Sequence, residues 1–269
     1  MKRRKSMSNL KTKNSKMKFI GIIPARYAST RFPGKPLAKI GGVTMIERVY
    51  RQACKAIDEV VVATDDERIF EAVEAFGGRA IMTSTAHKSG TDRCHEAYIK
   101  SGSQADVVIN IQGDEPFIDP SQIETLKGCF DDETTQIATL IRRFDAKRGL
   151  AVPDDPNTPK VVVDNAGNAM YFSRSVMPFV RDREKSEWYK LGCYYTHVGV
   201  YAFRAPVLAE VVKLRRTLLE IAESLEQLRW LQNGYRIKTA ITECPTIGID
   251  TPADLEAAEQ YIKEVNHGS

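Results

Sequence analysis

Three cations, Arg26, Arg31 and Lys35, lie within ten residues of one another in Pro24-Ala-Arg-Tyr-Ala-Ser-Thr-Arg-Phe-Pro-Gly-Lys-Pro36, among small and turn-forming residues. A polyphosphate asks for this arrangement: backbone N–H groups that come close, and cations that neutralise it. The spacing is neither G-x-G-x-x-G nor G-x-x-x-x-G-K-[ST], which excludes a dinucleotide fingerprint and a P-loop. An exposed basic loop has the same composition. Asp114 follows an apolar run in Ile109-Asn-Ile-Gln-Gly-Asp-Glu-Pro116. A carboxylate there can meet Mg²⁺ bridging phosphates, since Mg²⁺ takes one or two carboxylates plus substrate oxygens. An acidic turn or helix N-cap is the plain alternative. Asp250, in Ile247-Gly-Ile-Asp-Thr-Pro-Ala-Asp-Leu255, ends a strand before a helix, a common place for an acid. In His87-Lys-Ser-Gly-Thr-Asp-Arg93 the Ser-Gly-Thr turn can offer backbone groups to a base edge and reject larger purines; an N-cap by Thr91 also fits.

These segments need a frame. Phe19–Ile23, Glu59–Ala63, Ala80–Met82 and Asp106–Ile111 read as strands, and residues 44–57, 66–76 and 91–100 carry helical spacing between them. Continuous β-branched runs suit a parallel sheet covered on both faces, and ligands of such sheets bind beyond the carboxyl ends of the strands. The order is that of a doubly wound α/β sheet. The second half is mixed. Val161–Val163 and Ala169–Phe172 flank a hairpin turn, and Val198–Phe203 and Arg236–Ile241 are further strands. Residues 219–233 read as one amphipathic helix with Leu225, Leu228 and Leu231 as its core stripe and Glu226 and Gln227 at the edge. Thr251-Pro252 opens a last helix, with Asp254 in its first turn. The expected division is a basic disordered leader over 1–18 and a single domain over 19–269.

The loop at 24–36 resembles the signature loop of the sugar cytidylyltransferases, and of the CMP-Kdo synthetases among them (Kdo is 3-deoxy-D-manno-octulosonate). The likeness extends through Gln112-Gly-Asp-Glu-Pro116, His87-x-Ser-Gly-Thr-Asp-Arg93, Tyr171-Phe-Ser-Arg-x-x-x-Pro178, His197-x-Gly-x-Tyr-x-x-Arg204 and Leu225-Glu-Gln-Leu-Arg229, covering about Phe19 to Ile262. The resemblance implies a Rossmann-like nucleotide-diphospho-sugar transferase fold: a mainly parallel central sheet, helices on both faces and a smaller mixed subregion. It implies transfer of CMP from CTP to Kdo with release of pyrophosphate, for lipopolysaccharide synthesis. Arg26 and Lys35 would hold the CTP phosphates, assisted by Arg31, and Lys35 would stabilise charge at the α-phosphate. Ser89, Gly90, Thr91 and Arg93 would stand beside the nucleotide. Asp114 and Asp250 would ligate Mg²⁺. Gln112, Arg174, Arg181, His197, Tyr201, Glu226 and Gln227 would face the sugar. A homodimer is implied as well. The segment Lys213-Leu-Arg-Arg-Thr-Leu218 lacks the proline-containing connection of the family. Other acceptors of the same class are amino-Kdo and sialic acid; a catalytically silent nucleotide-binding protein is the reading from another class.

Composition narrows the field further. The chain has 269 residues, 42% hydrophobic, enough for a sizeable core. Its formal charge of +4 comes from eight basic side chains and no acid in the first 18 residues; the remainder holds more acids than bases. That balance does not support a nucleic-acid-binding face. No run approaches the roughly 18 apolar residues of a membrane span, and no apolar segment follows the leader as in a secretory signal. Five widely spaced cysteines without a C-x-x-C pair argue against a disulfide framework or zinc site, and for the cytoplasm.

Overall fold

A computed structural model describes residues 16–28, 32–144, 154–245 and 248–267. Each strand of its first half is a run of apolar, mostly β-branched residues that sends alternate side chains to opposite faces. In β1 (Phe19–Ala25), Ile20 and Ile22 enter one core and Ile23 and Ala25 the other. β4 (Glu59–Thr64) splits Val60 and Val62 from Val61 and Ala63 in the same way, and β6 (Val107–Asn110) separates Val107 and Ile109 from Val108.

Two cores require cover on two faces. The first takes α1 (Met45–Ala53), α2 (Glu67–Ala75) and α4 (Pro120–Gly128) through Ile46, Val49, Ile69, Val73, Ile123 and Leu126. The second takes α3 (Gly90–Ser101) and α6 (Ala205–Val211) through Cys94, Ala97, Val207, Leu208 and Val211, while the short α5 (Lys185–Trp188) packs Trp188 with Tyr189 and Tyr194 in a smaller cluster. Each fully buried side chain of this size contributes roughly 1.5–3 kcal/mol, so the strand ends are held by the best-packed part of the molecule.

The main sheet runs β11-β7-β10-β6-β1-β4-β5, where β5 is Ala80–Met82, β7 Ile137–Arg143, β10 Tyr195–Arg204 and β11 Ile237–Ile241. β1 pairs in parallel with β4 and β6, β4 with β5, and β7 with β11. β10 alone on this path is reversed, antiparallel to β6 and β7, with a bulge between Val198 and Tyr201. β8 (Lys160–Val163) and β9 (Ala169–Ser173) form the expected hairpin and join β10 through β8. Gly167 supplies its turn with φ +76°. A small β2–β3 hairpin (Lys39–Ile40, Val43–Thr44) carries α1 behind it, capped by Thr44. The fold is the one the motifs imply.

Three local expectations are corrected, and one strand carries no clear signal in the sequence. Residues 219–233 form two short helices, α7 (Leu218–Glu223) and α8 (Gln227–Gln232), because Ser224 takes φ +50° and ends the first. Ser89, not Thr91, caps α3 by accepting from Asp92 N. Gly248–Asp250 is irregular chain rather than a strand end. β7, which the sequence reading left without an element, is a central strand: Ile137, Leu140 and Ile141 fit a helical period as well as a strand.

Candidate active site

The carboxyl ends of β1 and β6 open into a cleft of about 270 Å³, bordered by the phosphate-type loop, the α3 N-terminus and the Gln112–Asp114 turn. Two glycines make it possible. A Cβ on Gly113 would stand 3.1 Å from Pro24 O, and one on Gly90 3.3 Å from Pro24 Cγ, so both turns press against the end of β1.

Lys35 opens a single 3-10 turn after Gly34, whose φ of +73° lets its N–H reach Tyr27 O at 2.9 Å. The Lys35 ammonium donates to Asp114 Oδ2 at 2.8 Å and to Asp250 Oδ1 at 3.2 Å. Asp114 follows β6 directly, whereas Asp250 comes from 136 residues further along the chain. A backbone bond closes that gap: Ile249 N donates to Asp114 O at 2.9 Å. Asp254, on the first turn of α9 (Pro252–His267), accepts from the N–H groups of Asp250 and Thr251 at 3.0 and 2.8 Å and so fixes the approach. The side chains of Lys35, Asp114 and Asp250 are 15%, 34% and 48% exposed, which leaves the cluster open to a ligand. Arg26 lines the same cleft and is exposed. Arg31 lies outside the described residues.

The donor set suits Mg²⁺. Two carboxylates already bracket one positive charge, and no larger cage of His, Cys, Asp or Glu gathers among the described residues. A divalent ion completed by substrate phosphate oxygens needs no more than that pair.

On the opposite wall, Ser89 and Gly90 line the cleft at the start of α3. Arg93 also borders it, yet is almost wholly buried. It donates to Thr83 Oγ1 and Asp65 Oδ2, both at 2.6 Å, and buttresses the wall from behind. His87, quoted in the motif but given no role, lines the cleft and is hydrogen-bonded to Glu96. Burial alone would raise the Glu96 carboxyl. Bonds from Lys100, Ser84 N and His87 outweigh it and bring the carboxyl down to about 2. Glu96 therefore stays an anion that pins the 84–87 loop. Glu115 is the other residue the sequence reading passed over. Its Oε2 is buried and finds no partner among the described residues; burial and the Asp114 charge push its carboxyl up to about 7.

The expected sugar-side residues form a second layer. Gln112 lines the cleft, but Arg174, His197, Tyr201, Glu226 and Gln227 do not. Two contacts tie them to it. Gly199, in the β10 bulge, lies against the Gln112–Glu115 turn, where a Cβ would stand 3.6 Å from Gln112 Cγ and 3.7 Å from Glu115 Oε1. Thr91, in the first turn of α3, donates to Glu226 Oε2 at 2.7 Å. Arg229 bonds the other Glu226 oxygen, and burial raises the Glu226 carboxyl. His197 shares a 2.9 Å hydrogen bond with Thr139 Oγ1, and burial drops its imidazole to about 3, so it is neutral. The Tyr201 hydroxyl is buried and finds no partner among the described residues, its ring edge-on to Trp230. Gln227 is buried at the start of α8. Arg181 stands apart: its side chain is 90% exposed beside Asp182.

A sheet of this order with a phosphate-type cleft at its strand ends defines a nucleotidyltransferase. The chain belongs to the cytidylyltransferase family, whose profile, described as Cytidylyltransferase, matches residues 20–238. It is 60% identical over 247 residues to the 3-deoxy-manno-octulosonate cytidylyltransferase of Bacteroides thetaiotaomicron, covering 92% of this chain and 99% of that one. The protein of the same name from Phocaeicola vulgatus is 61% identical over 248 residues, covering 92% and 98%. A solved structure of CMP:2-keto-3-deoxy-manno-octonic acid synthetase complexed with CTP is 45% identical, with a TM-score of 0.83 over 92% of this chain and 99% of that one. A Leptospira borgpetersenii cytidylyltransferase, 17% identical with a TM-score of 0.60, shares the fold. The family read from the motifs is the family found. Among the described residues, no helix is long and apolar enough to cross a membrane.

Proposed function

We propose that this chain transfers CMP from CTP to 3-deoxy-manno-octulosonate and releases pyrophosphate. The observation that carries the chemistry is the convergence of Asp114 and Asp250 on the Lys35 ammonium at the mouth of the cleft. The acceptor follows from the relatives, which carry that sugar acid in their names at about 60% identity over nearly their whole length.

The bond formed joins the anomeric hydroxyl oxygen of the sugar to the α-phosphorus, and the bond broken is that to the pyrophosphate oxygen. The hydroxyl proton leaves to solvent. Such transfers need positioning and charge stabilisation more than covalent help from the protein. Arg26 and Lys35 supply positive charge to the phosphates. The Ser89–Gly90 turn presents backbone to the base, and the two glycines let the turns approach closely. Asp114 and Asp250 would hold Mg²⁺, which when bound would supply positive charge against the phosphates. For the sugar, Gln112 lines the cleft, and behind it stand a neutral His197 and a Tyr201 hydroxyl with no partner among the described residues.

The direct test measures pyrophosphate release from CTP and Mg²⁺ with Kdo, amino-Kdo and sialic acid in parallel. Release with Kdo well above the other two is expected. Release only with another acid sugar would replace the acceptor and keep the nucleotide chemistry; release with none, from folded protein, would overturn the proposal.

A further inference from the structure

Among the described residues no cation is more enclosed than Lys160, which is 2% exposed. It stands at the head of β8, paired with Thr196 of β10 on one side and Ser173 of β9 on the other. Its immediate neighbours in space along those strands are thus His197 and Arg174. The three protons of the ammonium go to three backbone carbonyls, those of Asp155 at 2.8 Å, Thr158 at 2.9 Å and Arg174 at 2.6 Å. A methionine fills similar space without the cost of burying charge, so packing alone does not account for a lysine here.

The cation orients what lies next to it. The Arg174 peptide is held at both ends: its C=O accepts from Lys160, and its N–H donates to Glu223 Oε2 at 2.9 Å. Ser173 Oγ donates to the other Glu223 oxygen at 2.6 Å. With its backbone clamped, the Arg174 guanidinium donates to Glu223 O at 2.6 Å, Pro156 O at 2.7 Å and Ser224 O at 3.3 Å. Ser224 is the left-handed residue that separates α7 from α8. Two residues later, Glu226 meets Thr91.

We infer that Lys160 is a positioning residue for the acceptor side of the active site. Together with Glu223 it clamps the Arg174 peptide, and through the Arg174 guanidinium it fixes the chain reversal at Ser224 that aims Glu226 at the nucleotide wall. The role rests on the transfer reaction proposed above.

The experiment compares steady-state pyrophosphate release by the full chain, varying the acid sugar at saturating CTP and then CTP at saturating acid sugar. Lys160→Met is expected to raise KM for the sugar at least about tenfold and to leave KM for CTP within about twofold, the signature of lost acceptor positioning. A lysine that merely supports the fold would lower Tm and the yield of active protein without separating the two constants. Glu223→Gln keeps the shape and an acceptor for Ser173 while removing the charge. It is read by the same split, and it decides the matter if Lys160→Met does not fold. Both KM values unchanged, or both rising together, in folded protein overturns the inference. The wild-type chain runs beside the variants with Kdo, amino-Kdo and sialic acid. If only another acid sugar supports release, the split is read on that acceptor; a wild type that releases pyrophosphate with none removes both proposals.

Discussion

In the parallel half of the molecule Lys35 faces a cleft, and its ammonium is shared between two carboxylates that a ligand can reach. In the antiparallel half Lys160 is sealed beneath a hairpin, and its ammonium is spent on three carbonyls of its own backbone. The arginines differ in the same sense. Arg26 borders the cleft and is exposed, while the Arg174 guanidinium is committed to Glu223, Pro156 and Ser224 carbonyls. One half keeps its charges available for a ligand that brings its own. The other spends them on its own backbone carbonyls and so fixes the geometry of its turns. A polyphosphate supplies several negative charges and rewards cations left accessible. Hydroxyls reward geometry, and geometry is set by groups that are already satisfied.

The contrast can be broken at several points. The largest effect belongs to the accessible pair. Asp114→Ala or Asp250→Ala is expected to lower kcat/KM for pyrophosphate release by at least about a hundredfold at saturating Mg²⁺, the scale seen when one electrostatic group is removed from a transition state. Turnover within threefold of wild type would show that the charges at the cleft are structural after all. A smaller loss is expected where the two halves touch. Thr91→Val leaves a half-buried Glu226 oxygen without its donor, at a cost of about 1 kcal/mol. It should lower Tm and raise KM for the sugar, with Thr91→Ser restoring both. No change in either quantity would mean that the 2.7 Å bond links nothing of consequence.

The smallest effect tests how firmly the second half excludes charge. The His197 imidazole sits at about 3 in the fold because burial penalises its cation, against roughly 6.5 in an unfolded chain. Between these values the unfolded chain takes up a proton that the folded chain refuses. Stability therefore falls as pH drops through that window, by at most about 1.4 kcal/mol per unit. Urea denaturation of wild type and His197→Gln between pH 7 and 5 should show the wild type losing the steeper share. Parallel pH profiles would place the imidazole in contact with solvent.

Much of the first half was legible because its signals are local. Phe19–Ile23, Glu59–Ala63 and Asp106–Ile111 are unbroken apolar runs, and the cations and Asp114 fall directly after two of them. What escaped depended on distant partners. The stripe Leu225, Leu228, Leu231 describes a continuous helix well, and nothing in a serine announces the left-handed turn that Arg174 and Glu223 impose at Ser224. Ser89 and Thr91 are equally good caps on paper; Thr91 is taken by Glu226, 135 residues away. The resemblance implied that Asp250 and Asp114 come together; both side chains meet the Lys35 ammonium, although Asp250 follows irregular chain and not the strand expected. The backbone bond from Ile249 N to Asp114 O and the shared Lys35 ammonium do the joining. Lys160 gave no signal, since a lysine in a short β-branched run reads as an edge or solvent residue until three carbonyls are seen around it.

The reversed strand β10 also sets an order of assembly. β1, α1, β4, α2 and β5 follow one another along the chain and pair with near neighbours. Tyr201 must find Asn110 across roughly ninety residues before β6 and β7 can join one sheet, and loop closure of that length slows the step that needs it. The wall built on β1 and β4 is thus expected to gain hydrogen-exchange protection during refolding before the wall built on β10. Pulse labelling that finds β10 amides protected as early as those of β4 would show that the two walls form together.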